Sequence, residues 1–181
     1  MAPVVLWIDE IEKGFDSGGE GPGARLLGGM VTWLQEKQEE GFVVATANRV
    51  ASLPPELPRK GRFDEIFFVD LPNRHERVEI LSLHLGKRER DPAAFDLERL
   101  AADAGRLTGS ELEQLIVSAM YRAFARGEEL TQRDLEHALK ETVPLYETFE
   151  EEIKALREWA RKRARPASTD RKRVDYFGGG K

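Results

Sequence analysis

The chain has no cysteine among its 181 residues. Disulfides, thiolate metal sites and cysteine nucleophiles are therefore excluded. Histidine is scarce: His75, His84 and His137 stand at no metal-ligand spacing, which leaves them surface or helix-packing roles. No apolar run reaches the length of a membrane span, and the N-terminus does not read as a signal peptide. A cytoplasmic protein is expected. An excess of positive charge is also missing. The formal net charge of -5 argues against a dedicated nucleic-acid binder.

What is present is an ordinary globular composition, 40% hydrophobic and 34% charged, with length enough for one compact domain or two small ones. The organisation changes along the chain. Val4, Val5, Leu6, Trp7 and Ile8 form a continuous apolar run, the pattern of a strand buried on both faces of a parallel sheet. A glycine-rich loop follows over residues 14–23. Apolar residues then recur at helical spacing between Arg25 and Gln38. Further strands are expected over Phe42–Ala47 and Ile66–Val69, with Pro54, Pro55 and Pro58 punctuating the stretch between them. Alternating strands and helices indicate a parallel α/β sheet.

After Pro72 the strands stop. Helices are expected over 74–86, from Phe95 to Ala104, from Thr108, from Thr131, and from Tyr146 to Arg163. Thr108 and Glu111 have capping-box spacing. The helix they open places Leu112, Leu115, Ile116, Ala119, Met120 and Ala123 on one face. The expected division is thus an α/β part over residues 1–72, a helical part over 73–165 and a basic, disordered tail over 166–181.

Three short patterns carry chemistry. Asp9 and Glu10 close the first apolar run and so stand at the C-terminal edge of a strand, where parallel sheets bind ligands. One such carboxylate can hold Mg²⁺ through water while its neighbour polarises an attacking water. The plainer alternative is an acidic cap on the next helix. Asn48 ends the stretch Ala45-Thr46-Ala47-Asn48 after the second strand, positioned to hydrogen-bond a phosphate oxygen, orient water or simply form a turn. Arg59 and Arg62 lie in a segment punctuated by proline and glycine. They are suited either to neutralising charge on a phosphoryl group or to surface salt bridges with Glu56, Asp64 and Glu65.

In their order and spacing these patterns resemble the AAA+ superfamily of ATPases, and within it the AAA clade. Val4 to Glu10 is similar to a Walker B strand, Ala45 to Asn48 to sensor 1, and Leu53 to Asp64 to the second region of homology. Thr108-Gly109-Ser110-Glu111-Leu112 resembles the start of the sensor 2 helix. The runs Trp7 to Phe15, Trp33 to Lys37 and Leu156 to Ser168 resemble the poorly characterised AAA ATPases of cyanobacteria and plastids. The fold implied is the C-terminal half of a P-loop-ATPase α/β core, a partial parallel sheet, followed by an all-α lid.

The resemblance implies that Asp9 coordinates Mg²⁺, Glu10 activates water and Asn48 senses the γ-phosphate. It implies that Arg59 and Arg62 reach a neighbouring subunit's nucleotide, and that Gly109 and Ser110 lie near adenine and ribose. It further implies ATP and ADP as ligands, a hexamer-type ring, and a remodelled protein substrate that the sequence does not specify.

The chain departs from the family in two ways. Pro58 replaces the usual aliphatic residue before the first arginine. No Gly-x-x-x-x-Gly-Lys-Ser/Thr occurs; Gly178 to Lys181 ends the chain with no serine or threonine after it. That loop supplies most of the grip on the phosphates. The chain is therefore expected to be a truncation that binds ATP and Mg²⁺ weakly by itself, with the family's activity belonging to the intact parent. Two alternatives are a non-catalytic subunit that lends its arginines to a partner, and a helical interaction module with a vestigial α/β part. An uncovered strand edge leads to an expectation of self-association.

Overall fold

The β-branched run at the start of the chain forms strand β1 (Val4–Ile8), which pairs in parallel with β2 (Gly41–Ala45). Their register sets Val4 against Gly41, Val5 against Phe42, Trp7 against Val44 and Ile8 against Ala45. This is a computed structural model of the chain; it describes residues 3–15, 29–30, 32–34, 36, 41–58 and 61–168. The chain divides into two units, one comprising residues 1–67 with 159–165, the other residues 68–158 with 166–181.

In the first unit a 3-10 turn, Ile11–Gly14, follows β1, and another, Val50–Ser52, follows β2. Within the helix expected over 25–38, the described residues Gly29, Met30, Thr32, Trp33, Leu34 and Glu36 are helical. The glycine-rich loop from Asp16 to Gly23 lies outside the described residues. Ile11, Leu57 and Ala160 are buried, and so is the charged Glu12. The apolar run of β1 was expected to be buried on both faces, yet Val5 is 68% and Trp7 63% exposed. Apolar side chains leave water only where another layer covers them, and among the described residues the sheet has two strands, with Val4, Val5, Leu6 and Trp7 left exposed.

The second unit is helical. It contains α1 (Arg74–Gly86), α2 (Leu97–Asp103), α3 (Gly109–Ala125), α4 (Gln132–Glu141), α5 (Leu145–Thr148) and the first part of α6 (Glu150–Arg163). Asn73 caps α1: its side chain accepts from the Glu76 N–H at 3.0 Å while the Glu76 carboxylate accepts from the Asn73 N–H at 2.8 Å. Thr108 and Glu111 make the same reciprocal box at α3. The core joins Leu81 and Leu85 of α1 with Leu100, Leu112, Leu115, Ile116 and Leu135.

The helix expected from Tyr146 to Arg163 is interrupted. Phe149 leaves helical geometry at φ -117°, ψ 28° and separates α5 from α6. The new start at Glu150 places Glu150, Glu151 and Glu152 in the first turn of α6, with Arg161, Lys162 and Arg163 in its last, matching the helix dipole at both ends. In the second unit Arg157 grips Asp70 with a bidentate pair at 2.8–3.0 Å. Residues 166–168, assigned in sequence to the tail, are engaged: the Ala167 N–H donates to the Phe68 carbonyl, and Ser168 Oγ donates to Glu76. Residues 169–181 lie outside the described residues.

Candidate nucleotide site

Because β1 and β2 run parallel, they end at the same edge of the sheet. Asp9 and Glu10 follow β1 there, and Thr46 to Asn48 follow β2. Thr46 ties the two ends together. Its N–H donates to the Ile8 carbonyl and its own carbonyl accepts from the Ile11 N–H, both at 2.9 Å. Its hydroxyl accepts from the Glu10 N–H at 2.8 Å and donates to Asp9 Oδ1 at 2.6 Å. The Asp9 carboxylate is thereby oriented by a group on the neighbouring strand.

Glu10 turns the chain sharply. Its backbone is left-handed, φ 48° and ψ 55°, a region that costs a residue with a Cβ roughly 1–2 kcal/mol. The turn carries its carboxylate back across the edge, where Oε1 accepts from Asn48 Nδ2 at 2.9 Å. The Lys13 ammonium pairs with the other oxygen, and this contact holds the Lys13 amine above its ordinary value.

The 3-10 turn buries Glu12, which is 2% exposed. Its Oε1 accepts from the backbone N–H groups of Asn48 at 2.9 Å and Arg49 at 3.2 Å. Burial pushes this carboxyl upward, but the N–H groups of Asn48 and Arg49, with the Arg49 charge, more than offset it and hold it below the usual glutamate value.

The remaining expected residues divide between the two units. Arg62, in the first, donates from Nη1 to the Glu56 carbonyl, and its buried Nε makes no hydrogen bond among the described residues. Arg59 lies outside the described residues. Gly109 and Ser110 open α3 in the second unit, with Ser110 Oγ 3.1 Å from Thr108 Oγ1. A Cβ at Gly109 would meet Ile80 Cδ1 at an ordinary 3.7 Å, so packing within this unit does not demand glycine there.

Asp9, Glu10 and Asn48 therefore come together; so do Thr46, Lys13 and Glu12, which motif reasoning passed over. Thr46 was visible as the hydroxyl residue inside the Ala45–Asn48 stretch. Nothing in the local sequence marked Glu12 as buried. The carboxylate oxygens of Asp9 suit a hard cation such as Mg²⁺, which keeps several of its waters. Among the described residues no group of three or more histidines and carboxylates is arranged to hold a metal.

Residues 1–71 match the family described as ATPase family associated with various cellular activities (AAA). The chain is 46% identical over 174 residues to an uncharacterized AAA domain-containing protein, ycf46, of Pyropia yezoensis, which covers 93% of this chain and 35% of the relative. The chain belongs to the AAA family. It is also 35% identical over 144 residues to a proteasome-activating nucleotidase of Aeropyrum pernix (74% of this chain, 34% of the relative). A third relative is an ATP-dependent zinc metalloprotease FtsH 3 of Sphaerobacter thermophilus, 34% identical over 149 residues (78% and 30%). The chain thus spans about a third of the length of these relatives. Its α/β core with a following set of helices accords with the C-terminal part of the AAA fold. Among the described residues no helix is long and apolar enough to cross a membrane.

Proposed function

We propose that this AAA chain carries the hydrolysis side of an ATP site in a protein that couples ATP binding and hydrolysis to remodelling of a macromolecular partner. The observation that carries the reading is the Asn48–Glu10 hydrogen bond, set beside the Thr46–Asp9 pair on one sheet edge. In this reading the Asp9 carboxylate, fixed by the Thr46 hydroxyl, holds Mg²⁺ through water. Mg²⁺, when bound, screens the charge of the phosphates. Glu10 accepts a proton from the attacking water, and Asn48 fixes the direction of the Glu10 carboxylate. Arg62 and Arg59 serve a neighbouring subunit's nucleotide in a ring, stabilising charge on the transferred phosphoryl group. Gly109 and Ser110 face the adenine and ribose. The name of the ATP-dependent protease supports ATP as the ligand, and that of the nucleotidase supports a nucleotide.

The sequence contains no phosphate-binding loop of the Gly-x-x-x-x-Gly-Lys-Ser/Thr type, so weak nucleotide binding by this chain alone is expected. A second reading, carried by Arg59 and Arg62, is a non-catalytic subunit that lends its arginines to a partner. Both are tested by mixing the chain with a segment of an AAA relative that carries the loop but none of the hydrolysis residues, and measuring phosphate release. Stimulation abolished by Asp9→Asn and by Glu10→Gln supports the hydrolysis reading. Stimulation that survives both, but is lost in the double variant Arg59→Ala, Arg62→Ala, supports the second. Absence of stimulation overturns both.

A further inference from the structure

At the sheet edge, Glu12 has no task in the proposed chemistry. Glu12 is buried, and a carboxylate away from water is costly unless hydrogen bonds compensate it. Its compensation is uneven. Oε1 receives two consecutive backbone N–H groups, from Asn48 and Arg49. Oε2 is buried and makes no hydrogen bond among the described residues. A group of this kind is retained either because it holds together the fold around it or because of what it orients.

What it orients is the turn after β2. Within that turn, Asn48 is tied to the segment after β1 at two points. One is the backbone of Asn48, held by Glu12; the other is the side chain of Asn48, which donates to Glu10. Residue 48 is thus held at its N–H by one carboxylate and at its amide nitrogen by another, two residues apart on a single turn. With the backbone anchored, the Asn48 side chain starts from a fixed point, from which its Nδ2 reaches Glu10 at 2.9 Å. Charge-assisted bonds to an ionised acceptor are the stronger kind, and here two converge on one oxygen.

We infer that Glu12 is a positioning residue, whose buried carboxylate locks the Asn48 backbone so that the Asn48 amide directs the Glu10 carboxylate. Its relevance to ATP hydrolysis rests on the reading of Asp9, Glu10 and Asn48 proposed above; the geometric claim does not. A purely structural Glu12 would affect the stability of the unit as a whole. A positioning Glu12 affects the turn at 48–49 and, through it, the Asn48 side chain.

The test is nuclear magnetic resonance on the chain itself, comparing wild type with Glu12→Ala and Glu12→Gln. In Glu12→Ala the backbone amides of Asn48 and Arg49 should exchange with solvent at least about ten-fold faster, while those of Val43 and Val44 in β2 keep their rates. The Asn48 side-chain amide signals should move toward free-asparagine positions in Glu12→Ala, and should move likewise in Glu10→Ala. Glu12→Gln, which keeps an acceptor oxygen but loses the charge, covers the case in which the alanine variant fails to fold. It should shift the Asn48 and Arg49 amide protons upfield. Unchanged Asn48 signals in a folded Glu12→Gln would overturn the inference, as would uniform acceleration of exchange through β2.

Phosphate release in the mixed assay then separates the two claims. Loss of Asn48 orientation in the variants, with no hydrolysis in the wild-type mixture, overturns the ATP reading and leaves the positioning geometry standing. Wild-type hydrolysis, with kcat in Glu12→Gln reduced about ten-fold and KM unchanged, supports both. Wild-type hydrolysis with kcat in Glu12→Gln unchanged overturns the positioning role.

Discussion

The side-chain amide of Asn48 donates to the Glu10 carboxylate at 2.9 Å, joining residues 38 positions apart in the chain. A carboxylate that accepts such a bond keeps one direction, and direction is what the general base proposed at Glu10 needs. Asn48→Ala should therefore lower kcat for ATP hydrolysis in the mixed assay by about 10²-fold and leave KM nearly unchanged, the scale on which misplaced catalytic groups act. Asn48→Asp should do no better, because it sets a second negative charge against Glu10. Steady-state phosphate release checks both. A KM effect with kcat intact would assign Asn48 to ground-state binding.

The left-handed backbone of Glu10 leads to a stability prediction with an unusual sign. Alanine and glycine at this position lose the same contacts to Asn48 and Lys13. Alanine keeps the strain of a Cβ at φ 48°, roughly 1–2 kcal/mol. Glycine removes it but costs roughly 0.5–1 kcal/mol in unfolded-chain entropy. Glu10→Gly should thus be more stable than Glu10→Ala by about 0.5–1 kcal/mol in urea unfolding, the reverse of the usual order.

How far the sequence disclosed these features depended on how local their causes are. The α3 start was legible because a capping box needs only Thr108 and Glu111 at fixed spacing. The meeting of Asp9 and Glu10 with Thr46 and Asn48 was legible because parallel strands end at one edge. The burial of Glu12 was not, since its partners are backbone N–H groups 36 and 37 residues away, and backbone leaves no mark in composition. The break at Phe149 has neither glycine nor proline to announce it. The uncovered faces of β1 were illegible for a related reason: an apolar run says that burial is favourable, not that a covering layer is at hand.

Glu111 should matter more to the helical unit than its partner in the capping box. Its Oε2 accepts from the N–H and the hydroxyl of Thr108, both at 2.7 Å, and its Oε1 accepts from the Leu145 N–H at 2.6 Å. It therefore fastens the start of α5 as well as that of α3. Thr108→Ala should cost about 1 kcal/mol. Glu111→Ala should cost roughly 2 kcal/mol, within the range for hydrogen bonds to a charged acceptor. Equal losses in urea unfolding would show that the Leu145 contact contributes nothing.

Asp134 makes the stability of the same unit depend on pH. Burial pushes its carboxyl upward, but the Thr131 hydroxyl at 2.6 Å, the Arg126 guanidinium at 2.8 Å and the Thr131 N–H at 3.0 Å outweigh burial and hold it below the ordinary aspartate value. The ionised form is thus favoured by folding. Its contribution is complete above the unfolded value of about 3.9 and is lost as pH falls through the lower folded value. Thermal unfolding between pH 7 and pH 3 should show Asp134→Asn less stable than wild type at neutral pH. The two curves should converge in acid. Parallel curves would mean that Asp134 does not ionise differently on folding.

The exposed faces of β1 and β2 lead to a prediction about assembly. Paired residues of a parallel ladder share a face, so Val5 and Phe42, both 68% exposed, stand together, with Trp7 at 63% next along β1 on the same side. Three large apolar side chains in one patch favour association, and a two-stranded sheet is marginal without a covering layer. Light scattering should show the average mass rising with concentration. The double variant Val5→Lys, Trp7→Lys should shift the chain toward monomer, because each lysine would have to lose its hydration to enter the contact. The exposed Phe124 of α3 is the control: Phe124→Lys should leave the mass unchanged if the sheet is the contact surface. A wild-type chain that stays monomeric at every concentration would sink the idea, and a Phe124→Lys effect larger than that of the strand variant would move the contact to the helical unit.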